Sequence, residues 1–338
     1  MQHEIKQNGP LLNAKGNLRE AGWSKRMLLT YDRSAIRVGK LGIKEWDYYI
    51  VQDDRHGIAL TVADNGYMAL LSASILDFTR PWEHTGTVMK LLPLGKFKMP
   101  VSSEKGDVQY EGDGLTIKFL KEEGRRRLLC NYEKFHEGKP LSIDVLLDEP
   151  VMDTMVIATP FLKPRHFYYN QKINCMRASG SVWYGDTKIT FSPDTAFGTL
   201  DWGRGVWTYS NTWYWGSGNG VVNGRLFGFN LGYGFGDTKA ATENMIFYDG
   251  RAHKLETVEF HIPPDSYLKP WTLTSSDNRF EMEFIPVLDR AAHINALLVE
   301  TDQHQVFGKF TGRAVLDDGT ALEINNLTGF AEKVRNRY

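Results

Sequence analysis

The sequence predicts an all-β protein. Three observations carry this: tight-turn dipeptides recur at short intervals, β-branched and aromatic runs flank them, and helical periodicity is scarce. Asn65-Gly66 lies between HGIALTVAD and YMALLSASI, a hairpin signal because both central residues of a type I′ turn need positive φ. Glu123-Gly124, Asp249-Gly250 and Asp318-Gly319 repeat the pattern. At the first of these, Glu122 and Glu123 are expected to face Arg125 to Arg127 across a solvated tip. Further strands are expected at Trp46 to Gln52, Leu141 to Leu147, Thr154 to Thr159, Phe167 to Ile173, Lys188 to Phe191, Arg225 to Gly232 and Phe280 to Pro286. Only Ala240 to Met245 and Phe330 to Asn336 have room for a helical turn or two. Strands about ten residues apart with tight turns point to antiparallel sandwiches or barrels, not βαβ units.

A chain of 338 residues is long for one domain. Pro160 and Pro164 interrupt two strand-like runs near its midpoint, so the expected division is 1–163 and 164–338. Each half has a comfortable size for a closed barrel, and a short linker would leave the halves packed together.

Composition excludes several classes of function. Lys and Arg total 40 against 41 Asp and Glu, so bulk charge announces no nucleic-acid partner, although a local basic patch stays open. No apolar run is long enough for a membrane helix, and the first residues lack the apolar core of a signal peptide, so a cytoplasmic location is expected. Cys130 and Cys175 form no CxxC pair, and the nine histidines lack metal-ligand spacing. GSGNG and GYGFG do not match a dinucleotide fingerprint, and no P-loop, HExxH or GxSxG occurs. Neither a metal nor a cofactor is implied.

The densest anomaly is DWGRGVWTYSNTWYWGSGNG, from Asp201 to Gly220. With a period of two, Trp207, Tyr209, Asn211, Trp213 and Trp215 share one face of a strand, a broad aromatic wall. RLFGFNLGYGFGD follows, placing Phe227, Phe229, Leu231, Tyr233 and Phe235 on one face and Gly228, Gly232 and Gly234 on the other. Interior strand glycines mark a bulge, a bend, or close approach by another backbone or a ligand. Such a wall suits either core packing or a flat apolar ligand. Candidate ligand-binding residues are Trp202, Arg204, Trp207, Tyr209, Trp213, Trp215, Phe229, Tyr233 and Asn244. Asp201 among the indoles is a candidate proton donor, because desolvation raises a carboxyl pKa, while pairing with Arg204 would oppose that role. Glu243 is the second candidate carboxyl.

DWGRGVWTYSNTWYWGSG, GRLFGFNLGYGF, TENMIFYDGRAHKL, HQVFGKFTG and the closing GFAEKVRNRY together resemble the bacterial family called domain of unknown function 2804. GNLREAGW, LLDEPVMDTMVIATPF and NQKINCMRASG extend the resemblance over nearly the whole chain. A more distant similarity is to the carotenoid-hydratase-like proteins and tocopherol cyclase. That resemblance implies two lipocalin-like antiparallel barrels in tandem and apolar, isoprenoid-like ligands, without a catalytic residue match.

Three functions are compatible with these features. The first is binding of an apolar small molecule. The second is an acid-catalysed hydratase or cyclase acting on an alkene, with Asp201 as donor and an indole wall stabilising positive charge. The third is carbohydrate recognition or processing, with Asp201 and Glu243 as the carboxyl pair.

Overall fold

The computed structural model describes residues 2–296 and 299–337. Apart from two short 3-10 turns, Arg33–Ala35 and Lys40–Gly42, the regular elements among them are all strands. Besides the short parallel pair Gly9–Pro10 and Leu29–Thr30, they build two curled antiparallel sheets in tandem, the architecture of two lipocalin-like barrels.

The first sheet has thirteen strands. Its main path runs Trp82–Leu91, Met68–Asp77, His56–Asp64, Lys44–Gln52, Phe197–Val206, Phe167–Tyr184, Lys139–Asp148, Arg125–His136, Leu115–Glu122 and Val108–Gly112. It curls until the outer strand Trp82–Leu91 reaches Arg125–His136, where His84 Nε2 lies 3.1 Å from the Phe135 carbonyl. The second sheet has nine: Arg251–Lys254, Met245–Tyr248, Arg225–Tyr233, Ser210–Val222, Ala321–Arg337, Val299–Val315, Phe280–Ala296, Trp271–Ser275 and Val258–His261. Its two ends approach where the Phe260 N–H donates to the Tyr233 hydroxyl at 3.1 Å.

All four expected hairpins form. At Glu123-Gly124, however, the three arginines pair with the next strand and not across the tip. Arg125 binds Asp148 at 2.9 Å, Arg127 binds Asp144 at 2.7 Å, and Arg126 turns inward to Glu149, Tyr49 and the Ser103 carbonyl. Arg126 is therefore buried, because odd and even positions of one strand face opposite sides of the sheet. Phe330 to Asn336 is strand, not helix, and Ala240 to Asn244 is a loop leading into Met245–Tyr248.

The proline-marked midpoint is not where the sheets divide. Met155–Pro160 and Phe167–Tyr184 are partners in one antiparallel pair, with Pro160 opposite Phe167. The prolines mark a hairpin turn, which is locally indistinguishable from a linker. The change of sheet falls at residues 207–209, between Phe197–Val206 and Ser210–Val222. The Trp/Gly motif thus straddles the two barrels, and its expected single strand is two strands joined by a kink.

Each barrel is filled by its own side chains. Trp202, Tyr169, Tyr49, Phe119 and Leu147 pack inside the first. Phe229 sits inside the second, 5.1 Å from the Phe280 ring and 5.0 Å from Phe310, with Phe227 and Trp271 in the same core. Two further apolar clusters draw residues from both sheets, one around Tyr168 and Phe235, the other around Tyr48, Trp215 and Phe307.

A bulge locks the sheets together. The register of Phe167–Tyr184 against Phe197–Val206 slips between Ile173 and Met176, and Cys175 adopts φ 60°. Asn174 Nδ2 donates to Ser217 Oγ (2.9 Å), Asn219 Oδ1 (3.0 Å) and the Phe229 carbonyl (3.1 Å) of the second sheet. The Cys175 N–H also reaches Asn219 Oδ1 at 2.9 Å. Gly228 makes this fit possible, since a Cβ there would lie 2.6 Å from Cys175 Sγ. Gly228→Ala is expected to destabilise the protein by about 1–3 kcal/mol through overpacking. Adding Cys175→Gly, which removes the sulfur and suits the positive φ, should recover part of that loss, because the same Cβ would still lie 2.9 Å from Asn219 Oδ1. Urea unfolding of the single and double variants checks this; an unaffected Gly228→Ala would refute the tight contact.

Candidate functional site

The polar groups that no barrel core absorbs converge on the seam between the sheets, around Trp215. Its indole Nε1 donates to Asn230 Oδ1 at 2.7 Å, and Lys172 Nζ lies 3.8 Å from its ring centroid. In the ladder Trp215 stands opposite Gly232 on one side and Glu332 on the other. Gly232 leaves room for Glu243, whose Oε2 would be 3.0 Å from a Cβ at that position. Two carboxyls thus flank one indole, Glu332 from the neighbouring strand and Glu243 from the loop before Met245–Tyr248.

The first sheet supplies Lys172 and Asp201, directly opposite each other in the ladder, with Nζ and Oδ1 2.8 Å apart. Asn170 donates a second bond to Asp201 Oδ1 at 2.6 Å. Tyr48, across the ladder on the other side of Asp201, donates to Gln305 Oε1 at 3.1 Å. Gln305 passes a bond to Glu332 Oε2 at 2.8 Å, and the Trp213 indole donates to Glu332 Oε1 at 2.9 Å. One chain of hydrogen bonds therefore crosses from the first sheet to the second. Glu243, by contrast, makes no hydrogen bond or ion pair through its carboxyl among the described residues, although it is buried.

Burial pushes the Glu243 carboxyl up to about 7, against the pull of Lys172 and with a further push from Asp201. Glu332 is also pushed up to about 7 by burial, against the hydrogen bond from Trp213 and the charge of Lys172. Burial holds the Tyr168 hydroxyl well above its usual range, with Glu243, Asp201 and Glu332 adding to the effect. Lys254 is pushed down to about 7 by burial, although its Nζ donates to Thr242 Oγ1 and the Asn244 carbonyl.

An aromatic rim surrounds this cluster. Phe235 packs edge-on against Tyr168 (4.9 Å), Trp207 (5.4 Å) and Trp213 (5.4 Å), while Trp46 stacks on Tyr168 and meets Trp207 edge-on. Trp46, Trp207 and Trp213 stay partly exposed, so the rim is the side on which the cluster approaches solvent.

The residues expected to form one site separate into several places. Asp201, Glu243, Trp213 and Trp215 converge at the seam, and Trp207 joins its rim. Trp202 and Arg204 point into the first barrel, because both sit on the opposite face of the strand Phe197–Val206 from Asp201. Arg204 is fully buried there, donating to Asp47 Oδ1 at 2.9 Å and to the Trp46 and Pro100 carbonyls, with its guanidinium 4.2 Å from the Trp202 ring. The expected Asp201–Arg204 pair does not form; Lys172 takes that place. Phe229 is core of the second barrel. Tyr233 stacks on Tyr214 at 4.4 Å and lines an open groove of about 470 Å³ with Thr257, Glu259, Phe260 and Thr274. Tyr209 is exposed at the kink. Asn244 spends both ends of its amide on the loop, accepting from the Gly232 N–H (2.8 Å) and donating to the Glu256 carbonyl (2.8 Å), which fixes the backbone beside Glu243.

Sequence reasoning missed Lys172, Glu332, Tyr48, Tyr168 and Gln305. Tyr168 and Lys172 share one strand and the other three lie on three more, and only the sheet pairings bring them together. No group of His, Cys, Asp and Glu among the described residues is arranged to hold a metal ion. No helix among them is long and apolar enough to cross a membrane.

Two lipocalin-like barrels in tandem, with an ionisable cluster in the seam between them, define a tandem-barrel protein. The chain belongs to the family described as Domain of unknown function (DUF2804), which it matches over residues 2–338. Among solved structures it is similar to a protein described as AttH from Nitrosomonas europaea, at 12% identity and TM-score 0.54, covering 96% of this chain and 98% of that one. It also aligns with kievitone hydratase from Nectria haematococca, at 11% identity and TM-score 0.48, over 91% and 95% of the two chains. CghA with Sch210972 aligns at 8% identity and TM-score 0.47, over 98% and 97%. The first of these shows a shared fold. No curated protein matches the chain.

The shifted groups set a pH dependence of stability. Glu243 and Glu332 have folded pKa values near 7 against an ordinary 4.5, so the folded state holds more protons between those values and stability falls as pH rises from 4.5 to 7. Lys254, at about 7 against 10.5, works the other way, and its contribution rises from pH 7 towards 10.5. From these groups a stability minimum near pH 7 is expected. Glu243→Gln should raise the melting temperature at pH 7 to 8 and flatten the slope between pH 5 and 7. Thermal melts from pH 4.5 to 9 check it, and an unchanged slope in the variant would contradict the assignment.

Proposed function

We propose that this protein binds an apolar, unsaturated small molecule at the seam between its barrels and acts on it by proton transfer, with Glu243 as the acid. The observation that carries this reading is the Glu243 carboxyl: buried, without a hydrogen-bond partner among the described residues, and set beside Trp215. A carboxylic acid kept protonated near neutrality in aromatic surroundings is what protonation of a C=C bond requires.

In that reaction the proton of Glu243 passes to one alkene carbon, the π electrons form the new C–H bond, and positive charge develops on the other carbon. Aromatic ring faces at the rim stabilise that charge. Water then adds, giving an alcohol, and its surplus proton returns to the Glu243 carboxylate; attack by a hydroxyl of the substrate itself gives ring closure. Asp201 is not the donor, since it already accepts from Lys172 and Asn170. The Lys172–Asp201 pair positions charge beside the acid instead. Packed barrel interiors support a ligand at the seam over one inside a barrel.

A panel of unsaturated lipids and terpenoids tests the proposal by Trp fluorescence, melting temperature and mass spectrometry for added water or isomerised product. Glu243→Gln is expected to lower turnover by about 10²–10⁴-fold while leaving ligand binding within a few-fold. Wild-type kcat/KM should fall as pH rises through about 7, as the acid loses its proton. Full turnover by Glu243→Gln would overturn the acid assignment. A panel that shifts neither fluorescence nor melting temperature would overturn the ligand class.

A further inference from the structure

At one end of the first barrel the chain exposes apolar side chains among lysines. Between Glu83 and Glu104 it has no acidic residue, and it reads MKLLPLGKFK from Met89 to Lys98. Leu91 is 85% exposed, Met89 61% and Leu92 53%. This is the end of strand Trp82–Leu91 and the turn beyond it, where left-handed φ values at Leu92, Leu94 and Lys98 fold the chain tightly. A second exposed apolar residue, Leu41, comes from the turn Lys40–Gly42.

The two segments meet on one hairpin tip. The Leu92 N–H donates to the Tyr67 carbonyl at 2.9 Å and the Leu94 N–H to the Gly66 carbonyl at 3.1 Å. On its other side Gly66 is packed against the Lys40 and Leu41 carbonyls. Leu41, Leu91 and Leu92 therefore crown the same end of the barrel, with Lys40, Lys96 and Lys98 beside them. Those three lysines are exposed and take part in no ion pair among the described residues. Lys90 alone is matched, by Asp113 at 2.5 Å.

We propose that this crown is a docking surface for an anionic lipid bilayer. An aqueous surface gains nothing from several large exposed aliphatic side chains at one tip, whereas an interfacial one buries them among acyl chains. The unpaired lysines sit where headgroup phosphates and carboxylates would lie, so charge complementarity selects an anionic leaflet. The mixture also discriminates against a nucleic-acid partner, which would use the lysines and leave the leucines in water. Lys44, two residues beyond the Lys40–Gly42 turn, lies 4.7 Å from the Tyr67 ring centroid and 5.2 Å from that of Trp207. The crown is therefore continuous with the aromatic rim of the seam. Docking there would face the rim towards the source of an apolar molecule, but the inference does not rest on the proposed chemistry.

The test is co-sedimentation of the full chain with vesicles of phosphatidylcholine alone and of phosphatidylcholine with phosphatidylserine, in low and in high salt. Leu91→Asp/Leu92→Asp and Lys96→Glu/Lys98→Glu are compared with wild type, with circular dichroism and melting curves confirming folding. The expected result is binding to the anionic vesicles only, weakened by salt, and reduced tenfold or more by each double variant. Absence of binding to either vesicle overturns the proposal. So does binding that the lysine variant abolishes and the leucine variant leaves intact, because that is a polyanion surface; duplex DNA added as competitor identifies it directly.

Discussion

The contact on which the rest of this molecule depends is the insertion of one bulge into the neighbouring sheet. Asn174 and Cys175 leave the ladder of the first barrel and give their hydrogen bonds to Ser217, Asn219 and Phe229 of the second. A bulge leaves polar backbone and side-chain groups unpaired within its own sheet, and burying them unpaired costs about 1–3 kcal/mol each. The second sheet accepts from the Asn174 amide nitrogen and the Cys175 N–H, leaving Asn174 Oδ1 without a partner among the described residues, and in doing so it fixes the distance and register between the barrels. Trp215, Glu243 and Glu332 are then carried to Lys172 and Asp201 with no freedom left to the linker at residues 207–209.

That fixed register explains the unusual electrostatics of the seam. Ionisable groups between two packed sheets lose most of their water, and the one Lys–Asp pair that the first sheet contributes offsets only part of the burial of the two glutamates. Glu332 accepts from Trp213 and Gln305 and Glu243 has no such partners among the described residues, yet burial pushes both carboxyls up to about 7. Holding such a carboxyl costs stability, and proteins carry costs of this kind at functional sites. The two filled barrels supply the rigidity that keeps it in place.

Much of the fold could be read directly. Asn65-Gly66, Glu123-Gly124, Asp249-Gly250 and Asp318-Gly319 each announced a hairpin that forms, because φ > 0 at a turn is a local demand met by few residues. Gly228 and Gly232 were recognisable as places of close approach, although not what approaches them. Because a hairpin turn and a linker carry the same residues, Pro160 and Pro164 read as a boundary in the sequence, whereas in the structure they lie at a hairpin turn and the chain changes sheet at residues 207–209. Asp201 and Glu243 stood out in the sequence only as carboxyls close to the indole-rich segment, and strand pairing then placed Asp201 beside Lys172 and Glu243 beside Gly232. Arg204 was assigned to Asp201 because it is near in sequence, whereas strand alternation and Asp47 place it inside the barrel.

The sequence by itself determined the all-β class, the turns, the alternation that fills each barrel and the concentration of indoles and glycines in one segment. These follow from period-two patterning and local φ preferences, which act over a few residues. Only the tertiary structure decided that the aromatic wall lies between barrels, that Lys172 is the partner of Asp201, and that Glu332 faces Trp215 from more than a hundred residues away. Such pairings are set by sheet order and by the bulge that joins the sheets, and no short-range pattern encodes which distant strand will lie alongside.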